Sequence, residues 1–180
     1  MERQVQDGNR LSLPVGARDH GRGPQTAQVT LVEYGDYQCG RCAQAYVLLQ
    51  DYQQRQGEAL RFVFRHFPQS QIHPQAQNAA EAAEAAGAQN KYWQMHALLF
   101  ERQQALENGF LVEYAAALGL DTTRFLREMA QHTYADRVRD DFRSGMQSGV
   151  NGTPTFFING VRYEEIWSEE GLIAAIEDVA

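Results

Sequence analysis

The chain has 180 residues, 43% of them hydrophobic and 22% charged. That balance excludes collagen-like, disordered and disulfide-scaffold chains, and the length suits one domain, or one domain with a large insertion. A net charge of −7 argues against general nucleic-acid binding and against docking on anionic membranes, so neither partner is expected; no apolar run approaches the ~18 residues of a membrane span.

Residues 1–26 are polar and rich in Gly and Pro, which predicts an irregular lead-in with a short strand near Leu11–Val15. The first residues are charged throughout and lack the apolar stretch of a secretory signal, so a cytoplasmic location is expected. Ala27 to Tyr34 is apolar at both parities, as in a strand covered on two faces. After the turn-like Gly35-Asp36, the period changes. Cys42, Ala45, Tyr46, Leu49 and Tyr52 recur at steps of three and four, which predicts a helix from Cys39 to about Arg55, closed by Gly57. Leu60 to Phe67 reads as a second strand, stopped by Pro68. The β-α-β unit is expected to be right-handed and parallel.

Residues 69–148 read as almost wholly helical. Pro74 fits the first turn of an alanine-rich helix ending at Gly87. Asn90 is expected to cap a second, Phe110 to Leu118 forms a third closed by Gly119, Asp121 caps a fourth, and Tyr134, Val138 and Phe142 mark a fifth. Strand character returns at Thr155 to Ile158, Asn159-Gly160 is a two-residue hairpin turn, and Val161 to Tyr163 runs back. Ser168 caps a final helix. The expected fold is α/β: a β-α-β and β-β-α unit (27–68 and 149–180) interrupted by a helical segment (69–148).

The chain holds two cysteines, Cys39 and Cys42, in one C-x-x-C pair between a strand and a helix. A loop this small staples no fold of this size, so the pair is read as chemical. A thiol at a helix N-terminus meets unpaired N–H groups and the positive dipole end, which favour the thiolate that attacks disulfides. Cys39, nearer the end, is the expected nucleophile, and Cys42, one turn in, the resolving thiol. Gly40 and Arg41 lie between them, Arg41 adding a cation. A zinc site needs two more ligands; His66 and His73 are spaced outside the usual pattern, so redox chemistry is preferred, with no metal and no organic cofactor.

Glu33 lies inside the first strand, where an acid needs a reason. It is either a buried proton acceptor for Cys42, or a carboxylate reaching water or an arginine such as Arg61 or Arg65. Thr153-Pro154 precedes the late strand. The proline marks an edge or turn, or a cis peptide that exposes the Thr153 backbone to an extended substrate. His96 is read as a packed helix residue, His20 and His132 as surface residues, and Trp93 and Phe100 as helical core or groove lining.

The segments VTLVEYGDYQCGRC, FRHFP, HPQAQNAAEAAEAA, YWQMHALLF and SGVNGTPTFFING, in this order, resemble the DsbA-like branch of the thioredoxin superfamily. The likeness runs from about Val29 to the C-terminus. It is closest to DsbA-type proteins without a signal peptide and to the similar domain fused to some sodium/proton antiporters. The resemblance implies a thioredoxin fold with an inserted helical domain, a Cys39–Cys42 pair cycling between dithiol and disulfide, a cis Pro154 facing it, and Glu33 at the family's buried acidic position. Two departures affect potential and direction: the Gly-Arg between the cysteines, and the lack of a second-strand lysine beside Glu33. The expected partners are thiol- or disulfide-containing proteins or peptides, with glutathione or a thioredoxin-type reductant as a further one. The alternatives are a glutathione-dependent isomerase or transferase, and a non-catalytic peptide-binding module.

Overall fold

The computed structural model describes residues 9–165 and 167–180. In chain order the elements are β1 (Gly21–Arg22), β2 (Val29–Gly35), α1 (Gly40–Gln56), a 3-10 turn (Gly57–Ala59), β3 (Leu60–His66), α2 (Ala76–Gly87), α3 (Tyr92–Glu101), α4 (Asn108–Ala117), α5 (Thr122–Ala130), α6 (Ala135–Gln147), β4 (Thr155–Ile158), β5 (Val161–Arg162) and α7 (Glu169–Glu177). The strands form one sheet in the order β1-β3-β2-β4-β5. β2 and β3 are parallel, with Val29 opposite Leu60 and Gly35 opposite His66; β4 runs antiparallel to β2, and β5 to β4.

Because side chains alternate along a strand, register divides the sheet into two faces. Leu31, Phe62, Phe64, Phe156 and Ile158 face one core, completed by α1, α7 and the inner faces of α2 and α3. Val32, Tyr34, Val63 and Phe157 face a smaller core with Phe67, Val150 and Phe142 of α6. The buried face of α1 consists of Cys42, Ala45, Tyr46, Leu49 and Tyr52, the stripe expected from spacing, and the helix ends where Gly57 takes φ 57°. The alanines of α2 are buried on nearly every side, and their small side chains let neighbouring helices close around it.

The lead-in differs from expectation. Leu11–Val15 is no strand; Arg10 forms a single bridge to Val161, and the first strand is Gly21–Arg22, antiparallel to β3. Pro14 has no N–H to give a ladder. The carbonyls of Leu13 and Pro14 instead accept from the Arg65 guanidinium at 2.8 and 3.2 Å, and Leu11 and Val15 cover the smaller core.

Asn90 is not a cap. It takes φ 62°, a left-handed conformation asparagine tolerates, and Lys91 precedes α3 without a side-chain cap. Pro74 lies just ahead of α2, whose first residue is Ala76. Asp121 and Ser168 cap their helices by accepting from the N–H groups of Arg124 and Gly171. Asn159 and Gly160 take φ 49° and 80°, the mirror-image turn that a two-residue hairpin needs.

Candidate active site

β2 and α1 meet at the two cysteines. Cys39 is the residue before α1 and Cys42 lies in its first turn. Cys39 keeps 8% of its surface exposed and Cys42 none, which matches their expected order of access; both are free thiols. The Cys39 Sγ donates to the Thr153 carbonyl at 3.4 Å. The Thr153–Pro154 peptide is cis, and the loop that contains it approaches the first turn of α1.

The Cys39 thiol is lowered to about 6, against an ordinary 9.0. The largest cause is the hydrogen bond from the Cys42 thiol; burial opposes it, and the Thr153 side chain and the N–H groups of Cys42 and Arg41 add to the lowering. The helix amides therefore act as expected but come behind the neighbouring sulfur. Arg41 contributes through its backbone; its side chain is exposed and its charge is not among the leading causes. Burial pushes Cys42 well up, reinforced by its bond to Cys39 and by the charge of Glu33. One sulfur is thus disposed to ionise and the other to keep its proton. A Cβ at Gly40 would meet nothing within 4 Å, so the space beside Cys39 is open to a second molecule.

Glu33 is 1% exposed, and its register partners are Phe64 and Phe156. The reading in which it reaches water or an arginine is overturned by burial and parity: Glu33 pairs with Phe64, and Arg61 and Arg65, three positions before and one after Phe64 in β3, point to the opposite face. There Arg65 is fully buried against Asp19, at 2.9 and 3.0 Å. Glu33 Oε1 has no hydrogen-bond partner. Burial raises its pKa well above the ordinary value, the charge of Cys39 adds to this, and a hydrogen bond with Cys42 opposes it. A carboxyl beside a buried thiol, with its own proton affinity raised, can exchange a proton with that thiol.

Four further residues brace the site, and sequence reasoning missed their roles. Asp36 accepts from the N–H groups of Gln38 and Gln69 at 2.7 and 2.8 Å and pairs with His73 Nδ1 at 2.8 Å. Its carbonyl accepts the Cys39 N–H at 3.0 Å. Gln69 Oε1 accepts from the Thr153 hydroxyl at 2.9 Å. Gln103 Nε2, from the turn after α3, donates to the carbonyls of Tyr37 and Cys39 at 2.8 and 2.9 Å. The signal present was the unexplained polar content of the β3–α2 loop, PQSQIHP.

The remaining histidines sort by packing. His96 is buried with Nδ1 3.0 Å from the Tyr37 hydroxyl. His20 is not a simple surface residue: it stacks on Tyr92 at 3.6 Å and bonds Glu84 at 2.9 Å. His132 is exposed and reaches Glu81. His66 is bound to Glu84 at 2.8 Å, and His73 to Asp36, so both imidazoles are engaged by carboxylates. Phe100 is core and Trp93 is partly buried, with Arg22 over its ring at 4.8 Å.

The fold has known counterparts. The structure of BdbD from Bacillus subtilis (oxidised) superposes with a TM-score of 0.83 at 21% identity, covering 95% of this chain and 97% of that one. A thioredoxin-like oxidoreductase from Silicibacter pomeroyi gives 0.78 at 25% identity, covering 91% and 92%. Among curated relatives, a protein named Na(+)/H(+) antiporter NhaA 1 from Salinispora arenicola is 45% identical over 171 residues, which are 92% of this chain and 26% of that protein. The chain thus spans about a quarter of the length of such relatives. The sheet order and helices are those of the DsbA-type thioredoxin-like fold, as the sequence resemblance implied. A family model described as thioredoxin matches residues 17–178, and on that match the chain belongs to the thioredoxin family.

Proposed function

We propose that the chain is a thiol–disulfide oxidoreductase acting through Cys39 and Cys42 on disulfides and thiols of proteins or peptides. The observation that carries this is the placement of two free thiols at the start of α1, Cys39 ahead of the helix and 8% exposed, Cys42 in its first turn and fully buried; in keeping with it, the Cys39 thiol is lowered to about 6 and the Cys42 thiol is pushed up by burial. In the reducing direction, the Cys39 thiolate attacks one sulfur of a substrate disulfide. A Cys39–substrate disulfide forms, and the other substrate sulfur leaves as thiolate. Cys42 then gives its proton to the Glu33 carboxylate. Its sulfur attacks Cys39 Sγ, forming the Cys39–Cys42 disulfide and releasing the second substrate thiolate. Oxidation of a substrate dithiol is the same sequence reversed. Stabilising the Cys39 thiolate stabilises the dithiol form and so favours the oxidising direction.

The open space beside Gly40 gives a substrate sulfur access, and the Thr153-Pro154 loop offers backbone groups to an extended peptide. Glutathione or a thioredoxin-type protein would recycle the pair. The curated relatives are named as antiporters, so a membrane-bound partner stands open beside soluble thiol proteins despite the net negative charge.

Insulin reduction and dithiol oxidation test the proposal. Both activities are lost in Cys39→Ser, and Cys42→Ser accumulates mixed disulfides released by dithiothreitol. Full activity in Cys42→Ser would instead indicate glutathione-dependent chemistry at Cys39 alone, and purely non-covalent capture would indicate a binding module.

A further inference from the structure

A groove lies outside the thiol pair. The loop between β3 and α2, one face of α6 and the loop before β4 enclose about 730 Å³, a volume that suits a bound ligand or peptide segment. The buried Phe67 and Val150 and the partly buried Phe142 line it. Phe67 stacks on Phe142 with ring centroids 4.3 Å apart, so this wall is preformed. Ile72 and Met146 lie along the same groove with 67% and 57% of their surface exposed. Ile72 is the most exposed large apolar side chain among the described residues. Apolar side chains left in water beside an apolar groove gain by being covered.

The lining indicates what covers them. The chain carries a net charge of −7, yet Arg139 is the one charged residue among the described lining, and Asp136 engages it. The exposed Gln71 and Asn151 add uncharged amides, which can donate to and accept from a peptide backbone. That combination suits neutral apolar side chains on a polypeptide and offers little to a phosphate. Continuity with the thiol pair indicates which polypeptide. Gln69 lines the groove, and its Oε1 accepts from Thr153 Oγ1 at 2.9 Å. Asn151 also lines it and stands two residues before Thr153, at most ~7 Å along the chain. The Thr153 carbonyl lies 3.4 Å from Cys39 Sγ. A peptide extended from that sulfur along residues 153 to 151, at about 3.3 Å per residue, therefore reaches the groove within a few positions. We propose that the groove holds an apolar side chain of the substrate polypeptide, about two to four residues from the cysteine that exchanges with Cys39. The protein thus favours cysteines in unfolded, apolar segments. The inference rests on the exchange at Cys39 proposed above.

The test is single-turnover reduction, by the reduced full chain, of peptides whose one cysteine is disulfide-bonded to glutathione. The peptides carry either leucine or serine at about two to four residues on each side of the cysteine, and acid quench with mass spectrometry gives the second-order rate constants. The leucine peptide reacts about tenfold faster, as partial burial of one leucine allows. Met146→Glu and Ile72→Glu each bring that ratio to about threefold or less, and Met146→Leu keeps it. Both side chains are exposed, so neither change disturbs the core. The two peptides have the same charge, so a ratio taken within each variant cancels any general effect of the added carboxylate. Equal rates for the two peptides overturn the inference, as does a ratio unchanged in both glutamate variants. Sedimentation is measured alongside: a parent dimer that Met146→Glu dissociates means that a second copy covers the groove, and overturns it too. A parent that reduces neither peptide overturns the redox reading and this inference with it, whereas a parent that reduces both at equal rates overturns this inference alone.

Discussion

The Thr153 carbonyl lies 3.4 Å from the Cys39 sulfur although 114 residues separate them. β4 enters the sheet beside β2, and this brings the loop before β4 against the start of α1. The site is therefore a product of sheet order: the thiol pair comes from one end of the chain and the surface beside it from the other.

The lowered Cys39 thiol links ionisation to stability. A group whose folded pKa is depressed adds stability that is complete above its unfolded value, here 9.0, and is lost as pH falls through the folded value of about 6. The reduced parent should exceed Cys39→Ser in stability by a margin that shrinks between pH 9 and pH 6. The margin at the alkaline end is on the order of 2 kcal/mol, taken well below the full linkage value because the sulfur is near solvent. Thermal melts of both proteins under reducing conditions at pH 5.5, 7 and 8.5 provide the check.

Glu33 carries the opposite sign. Its folded pKa is raised, by burial first and the Cys39 charge second, so its stability contribution is fully present below the unfolded value of 4.5 and is lost as pH rises through the folded value. Glu33→Gln removes that loss. It should stabilise the protein at pH 7.5 by on the order of 1 kcal/mol or more, because a neutral amide avoids the desolvation of a charge, with the gain fading towards pH 4. The same variant should resolve mixed disulfides at least tenfold more slowly, because Cys42 loses its proton acceptor. Chemical denaturation across pH and rapid-quench kinetics measure the two effects.

Much of this was legible in the sequence. The strand–Cys39–helix order located the site, the five-residue stripe of α1 gave its buried face, and Asn159-Gly160 gave the hairpin. The lead-in was not legible, because its binding depends on Arg65, a residue 46 positions from Asp19. Composition sees Pro14 and Gly16 and reads irregularity; only the sheet reveals that a buried guanidinium needs those carbonyls. The role of Glu33 stayed ambiguous for a related reason, since strand parity separates it from Arg61 and Arg65 only once β2 and β3 are in register. His20 looked superficial because its two partners, Tyr92 and Glu84, come from the helical segment.

Arg65 offers the sharpest stability test. It is fully buried, pairs with Asp19, and donates to Leu13, Pro14 and Tyr34. Burial pushes Asp19 up, but the bonds from Arg65 and the Gly16 N–H outweigh it and hold the carboxyl low. Arg65→Met strands the Asp19 charge and should cost about 3–5 kcal/mol. Limited proteolysis should then cut within residues 11–20 before it cuts elsewhere.

Asp36 braces the cysteine turn. Asp36→Ala leaves the N–H groups of Gln38 and Gln69 without their acceptor, at about 1–3 kcal/mol for each one that stays buried. Urea denaturation should show the loss, and hydrogen exchange should localise it to the turn before α1 and to the β3–α2 loop.

Site-resolved alkylation of the reduced protein as a function of pH reaches the core of the account most directly. With iodoacetamide and mass spectrometry, Cys39 should react with a midpoint near pH 6, while Cys42 stays unmodified through pH 9. Equal reaction of both sulfurs with a common midpoint near 9, or modification of Cys42 ahead of Cys39, would contradict it.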